Sequence, residues 1–229
     1  MNPSPLPEVE QSPQPGTLVR LAIPVALVVS ILALLLFAWI ANEVFLEHSV
    51  RFDLAVREWL HQYSSPTLTR LAVIASFLGQ QGLIIALVIS LPALLYLRWR
   101  RAAAWLCITV IGSLLLDMAL KHAFHRTRPT PFFGSDPASY SFPSGHAMVS
   151  FCFYGVLAGL LMGRIRSLPW RITIWFTAAF LITAIGLSRI YLGVHYPTDV
   201  IAGYLAAAVW VSTMITLDRL RKRRKKLYR

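Results

Sequence analysis

The chain has 229 residues, 56% hydrophobic and 14% charged, with a mean hydropathy of +0.60. Soluble domains carry roughly 25% charged residues, so this deficit, joined to long apolar runs, excludes an ordinary soluble domain and points to a membrane protein. The formal charge of +12 does not mark a nucleic-acid partner: eight basic residues and no acidic one lie between Arg219 and Arg229, directly after an apolar run, the pattern of a cytoplasmic membrane end that meets anionic lipid headgroups.

Residues 1–20 begin polar and proline-rich. They cannot bury enough apolar surface to fold alone and lack the basic start of a signal peptide, so a flexible cytoplasmic tail is expected. A span needs about 20 mostly apolar residues. Leu21 to Ala41 is the first. Val50 to Tyr63 then mixes apolar residues with Arg51, Asp53, Arg57 and Glu58, which suggests an amphipathic helix lying at the interface. Leu71 to Leu78 is apolar but too short to span alone. Gly82 to Leu97 is the second span, with room for extension by the residues before it. Ala102 to Leu120, Gly145 to Met162, Ile172 to Leu187 and Val200 to Leu217 are the third to sixth. The expected fold is therefore all-α, a six-transmembrane-helix bundle over residues 21–217 with a basic cytoplasmic tail at 218–229. Cys107 and Cys152 fall within apolar runs and read as small core residues.

Six spans put both termini on one side. Arg98, Arg100 and Arg101, then Arg164, Arg166 and Arg171, and the C-terminal tail all fall on that side, which the excess of Lys and Arg marks as cytoplasmic. The opposite helix ends carry Lys121, His122, His125, Arg126 and Arg128-Pro129; Ser141 to His146; and Ser188-Arg189, His195 and Asp199. Ionisable residues at membrane depth are functional candidates by default. Three clusters at one depth imply one shared extracytoplasmic site.

Lys121-x6-Arg128-Pro129, Pro143-Ser144-Gly145-His146 and Ser188-Arg189-x5-His195-x3-Asp199 together resemble the signature of the type 2 phosphatidic acid phosphatase superfamily, the lipid phosphate phosphatases, with no position departing from it. The resemblance implies a metal-independent phosphatase without a cofactor, acting on a phosphorylated lipid in the bilayer. It implies His195 as nucleophile through a phosphohistidine, Asp199 as the group that orients its ring, and His146 as general acid and then base. The residue chemistry agrees. Phosphoryl transfer is catalysed mostly by positioning and electrostatic stabilisation, and Lys121, Arg128 and Arg189 can surround the phosphoryl oxygens. Ser144 adds a hydroxyl, and Gly145 opens a helix whose free N–H groups suit an anion. A metal on His146, His195 and Asp199 would be repelled by those cations.

Duller roles fit the neighbours. His122 and His125 read as polar tips at the interface, and Arg126 equally as a phosphate ligand or a snorkelling residue. Asp117, four residues before Lys121, is placed to orient it. Phe132, Phe133 and Tyr140 suit interfacial anchoring more than a lipid entry. Among substrates, undecaprenyl diphosphate ranks slightly ahead of phosphatidylglycerophosphate or phosphatidic acid, with lipid A third. A transporter of phosphorylated lipids is the rival from another class, but its site would sit near the midplane rather than at helix ends.

Overall fold

The computed structural model describes residues 15–134 and 139–227, and the side chains of 24–134 and 139–221. Residues 1–14 of the expected N-terminal tail lie outside it, as do the side chains of the C-terminal tail beyond Arg221. Helices account for most of the described residues, and none of these is a strand. In chain order they are α1 (Pro15–Phe45), α2 (Val50–Gln62), α3 (Pro66–Leu78), α4 (Gln81–Tyr96), α5 (Arg100–Phe124), α6 (Gly145–Ser150), a π turn (Phe151–Gly155) leading into α7 (Val156–Met162), α8 (Leu168–Tyr191) and α9 (Pro197–Leu227).

Among the described residues, five apolar stretches are long enough to cross a membrane: Pro24–Phe45, Arg100–Phe124, Gly145–Met162, Leu168–Tyr191 and Pro197–Arg221. A sixth is reached when α3 and α4, bent by 41° at Gly79–Gln80, are counted together as one broken span. With 16 residues, α4 alone spans only about 24 Å, short of a hydrocarbon core of about 30 Å. The second expected span therefore needs the stretch before it. Spans read from hydropathy also come out too short at their polar ends. α5 runs on to Phe124 and stops where His125 takes the left-handed conformation (φ 48°) and closes the last turn onto the Lys121 carbonyl at 3.1 Å. Pro197 starts α9 three residues before its apolar run.

α1 packs along α9, α3 along α8, and α6 sits between α8 and α9. The core is a set of small apolar clusters between helices, such as Leu106, Val110, Val149 and Phe153 between α5 and the α6–α7 span, and Met148, Cys152 and Ala207 against α9. Leu35, Ile89, Leu115 and Phe176 point outward, as expected where the solvent is lipid and every backbone polar group is satisfied inside a helix. Close approach at the site end depends on two glycines. A Cβ on Gly203 would fall 2.6 Å from the Ser144 carbonyl, and one on Gly145 would fall 2.8 Å from Asp117 Oδ2. These contacts hold the start of α6 against α9 and α5.

Candidate active site

The three expected motif regions meet at one end of the bundle. Lys121 Nζ donates to Asp117 Oδ2 at 2.9 Å on the last turns of α5, so Asp117 does hold Lys121. Arg128, in the loop that follows, donates from Nη1 to the Val194 carbonyl at 2.8 Å. It lies 3.0 Å from His195 Nε2, while Ser139 anchors its other edge at 2.6 and 2.9 Å. Arginine has donors only, so His195 Nε2 carries a lone pair and its proton sits on Nδ1. That nitrogen faces Asp199 Oδ2 at 3.4 Å.

His195 is 1% exposed. Burial pushes its pKa down to about 4; the hydrogen bond and charge of Asp199 pull it back up, and the charges of Arg128 and Arg189 push it further down. At neutral pH the ring is neutral, and its contact with Asp199 is a hydrogen bond rather than an ion pair. Asp199 Oδ2 is held in turn by the Ser141 hydroxyl and by the Tyr196 backbone N–H at 2.8 Å, a cap on the first turn of α9.

On the other side of His195 the polar groups are not satisfied. Ser144 Oγ, His146 Nε2 and Arg189 Nε are buried and make no hydrogen bond among the described residues. Arg189 reaches the Ser76 hydroxyl through Nη1 but makes no ion pair among the described residues. The charged or titratable neighbours of His146 are Arg189, His195, Lys121 and Arg128, so the unpartnered groups and the cations occupy one place. A buried polar atom left without a partner costs roughly 1–3 kcal/mol. Three such atoms beside three cations and a helix N-terminus have the chemistry of an anion site. Asp117 Oδ1, Arg57 Nε and His61 Nδ1 are also unpartnered, the first of these beside Lys121.

The PAP2 superfamily model matches residues 102–223, more than half of the chain, from α5 into α9. This chain belongs to the PAP2 superfamily. Phosphatidylglycerophosphatase B of Bacillus subtilis is 31% identical over 144 residues, covering 61% of this chain and 70% of that protein. The undecaprenyl-diphosphatase of Sulfolobus acidocaldarius is 28% identical over 172 residues, covering 72% and 78%. The crystal structure of a transmembrane PAP2-type phosphatidylglycerolphosphate phosphatase from Bacillus subtilis aligns with a TM-score of 0.74 at 26% identity, over 82% of this chain and 95% of that one. These relatives are phosphatases, and this PAP2 chain is a multi-span membrane hydrolase of phosphate esters or diphosphates.

The PAP2 site also holds residues that sequence reasoning missed. Arg126 is neither a phosphate ligand nor a snorkelling residue. Its Nη1 donates to Asp199 Oδ1 at 2.6 Å and its Nη2 to Asp53 Oδ2 at 2.7 Å, with its plane 4.1 Å from the Tyr196 ring. Burial works against its charge, but Asp199 and Asp53 outweigh burial and raise its pKa above the ordinary value. Asp53 also accepts from the Thr198 backbone N–H at 3.0 Å and its hydroxyl at 2.8 Å. Arg57, on the same face of α2, donates to the Thr130 and Gly193 carbonyls and lies over Phe132.

α2 is thus a helix as expected, but the face carrying Asp53 and Arg57 is the buried one, while Arg51 and Glu58 are exposed together with Phe52 and Trp59. The i, i+4 spacing of Asp53 and Arg57 was the available signal. His122 and His125 are exposed, as their reading as polar tips requires. Phe132 stacks on His61 and Phe133 on Tyr191, so both fasten the loop to α2 and α8.

Proposed function

We propose that the chain removes a terminal phosphate from a membrane lipid through a phosphohistidine at His195. The observation that carries this is the set of unpartnered buried groups, Ser144, His146 and Arg189, beside a neutral His195 whose Nε2 lies 3.0 Å from Arg128. The lone pair on Nε2 attacks phosphorus. Arg128, already at that nitrogen, meets the phosphoryl oxygens together with Arg189, Lys121, the Ser144 hydroxyl and the backbone N–H groups at Gly145. Asp199 keeps the proton on Nδ1 and stabilises the imidazolium that forms, the orienting role of a triad aspartate. His146 gives a proton to the leaving oxygen, then takes one from the water that cleaves the phosphohistidine.

The substrate favoured is undecaprenyl diphosphate, with the site on the extracytoplasmic side, where that carrier is released, and both termini in the cytoplasm. The arginines at the opposite helix ends support that orientation. Phosphatidylglycerophosphate is the second reading, favoured by the likeness, in sequence and in structure, to phosphatidylglycerophosphate phosphatase of Bacillus subtilis. Phosphate release by the purified protein from undecaprenyl diphosphate, phosphatidylglycerophosphate and phosphatidic acid decides between them. The highest kcat/KM is expected for the diphosphate, and a preference of about tenfold or more for phosphatidylglycerophosphate, some 1.4 kcal/mol of transition-state binding, overturns that choice. Orientation is read in a Cys107- and Cys152-free background. Ser64→Cys, exposed at the site end, is expected to react with an impermeant thiol reagent outside intact cells and Ser167→Cys not to react; the reverse pattern inverts the topology.

A further inference from the structure

The end of the bundle away from the motifs contains a large cavity that phosphate removal does not use. It measures about 1070 Å³ and lies between the ends of α4, α5, α7, α8 and α9; ligand pockets usually hold roughly 300–1,000 Å³. Its rim has five guanidinium groups, Arg98, Arg100, Arg101, Arg164 and Arg219, against one carboxylate, Asp218. Asp218 pairs with Arg101, and Arg164 lies over the Trp99 ring at 4.5 Å. Its interior is apolar, walled by Trp105, Phe151, Trp175 and Ile215.

Three glycines shape that wall. Gly155, Gly159 and Gly163 recur every four residues along the π turn and α7, the spacing that in membranes normally lets a second helix pack close. Among the described residues no helix does so here. A Cβ on Gly159 would meet nothing within 4 Å, one on Gly155 only Ile182 Cδ1 at 3.9 Å, and one on Gly163 only the Leu160 carbonyl at 3.7 Å. The glycines widen the cavity instead of closing a helix pair.

We propose that this cavity binds an anionic phospholipid of the leaflet opposite the phosphatase site, with the phosphodiester among the rim arginines and an acyl chain along the glycine face. Guanidinium groups match phosphate oxygens in pairs, and tryptophan belongs at headgroup depth. Basic pockets between helices at the cytoplasmic side suit such headgroups. A second copy of the chain fits less well, since a protein of net charge +12 with ten acidic residues brings little negative charge to five arginines. Among the described residues, Arg219 of the basic tail lines the cavity.

The test uses the purified full-length protein in detergent and native mass spectrometry with phosphatidylglycerol, a phosphodiester with no terminal phosphate to lose, against phosphatidylcholine of the same chains. Phosphatidylglycerol is expected to bind at least about fivefold more tightly, and the Arg98→Gln/Arg164→Gln pair to lose about fivefold per arginine. Gly159→Leu fills the cavity where nothing opposes it and improves helix propensity. It is expected to lose phosphatidylglycerol retention while hydrolysis of a water-soluble phosphate monoester stays within about twofold. Equal binding of the two lipids, or wild-type retention by Gly159→Leu, overturns the proposal. So does high-yield disulfide dimerisation of Gly159→Cys in native membranes, which assigns the groove to a second copy.

Discussion

The two sides of His195 differ in how their polar groups are satisfied. Toward α2, both oxygens of Asp53, both oxygens of Asp199 and both terminal nitrogens of Arg126 are bonded to protein. Toward α6, among the described residues, Arg189 has no carboxylate, and Ser144 Oγ and His146 Nε2 have no hydrogen-bond partner. The first side is arranged for the folded chain itself and fixes the ring. The second is complementary to an anion brought by a substrate, which is where catalysis draws transition-state stabilisation.

One substitution made on each side is the sharpest way to break that contrast. Arg189→Met is expected to cut kcat/KM by about 10²–10³, the usual loss for a charge-stabilising donor, without lowering the unfolding midpoint, because it removes a buried charge that no carboxylate compensates. Arg126→Met leaves Asp53 and Asp199 buried without their cation and is expected to destabilise the protein by about 3–5 kcal/mol in denaturant titrations. Equal stability losses for the two variants would erase the distinction.

The pH profile sharpens it further. His195 is neutral above about 4, so kcat/KM, which reports the free enzyme, is expected to fall as pH drops through about 4 rather than through the ordinary histidine value of about 6.5. Protonation would turn Nε2 into a donor facing Arg128. Because the folded pKa lies below the unfolded one, the unfolded chain takes up the proton first, and this residue's contribution to stability is lost as pH falls from about 6.5 to about 4. An acid limb near 6.5 would contradict the burial argument. The smallest effect is expected at His122, next to Lys121 in sequence but exposed, hydrogen-bonded within its own helix to the Met118 carbonyl at 2.8 Å and in edge contact with Tyr140. His122→Ala should change stability by no more than about 0.5 kcal/mol and leave turnover intact.

The same contrast separates what sequence could reveal from what it could not. Spans and motif residues were legible because each depends on contiguous composition or on spacing within one helix, as with Lys121 and Asp117, or His195 and Asp199. The ring-fixing side was not. Asp53 meets Arg126 across 73 residues and Thr198 across 145, and no local pattern encodes such a pairing. Amphipathic periodicity identified α2 but not which of its charges turn inward: Asp53 and Arg57 are buried, while Arg51 and Glu58 stay exposed beside Phe52 and Trp59. The bend between α3 and α4 was missed for a similar reason: a hydropathy window sees Leu71 to Leu78 as too short to span, and the packing of α3 along α8 and against α4 is tertiary.

The central claim is that phosphoryl transfer passes through His195 Nε2. The most direct test is a rapid quench of the His146→Ala protein with a lipid diphosphate labelled in its terminal phosphate. Its leaving group is a phosphate monoester with a second pKa of about 6, so the first step proceeds without His146, while the second lacks its base. Label is expected to accumulate on Nε2 of His195 and none to appear on the His146→Ala/His195→Ala protein. Phosphate release with no protein-bound label, or label on Nδ1 or on another residue, would contradict it.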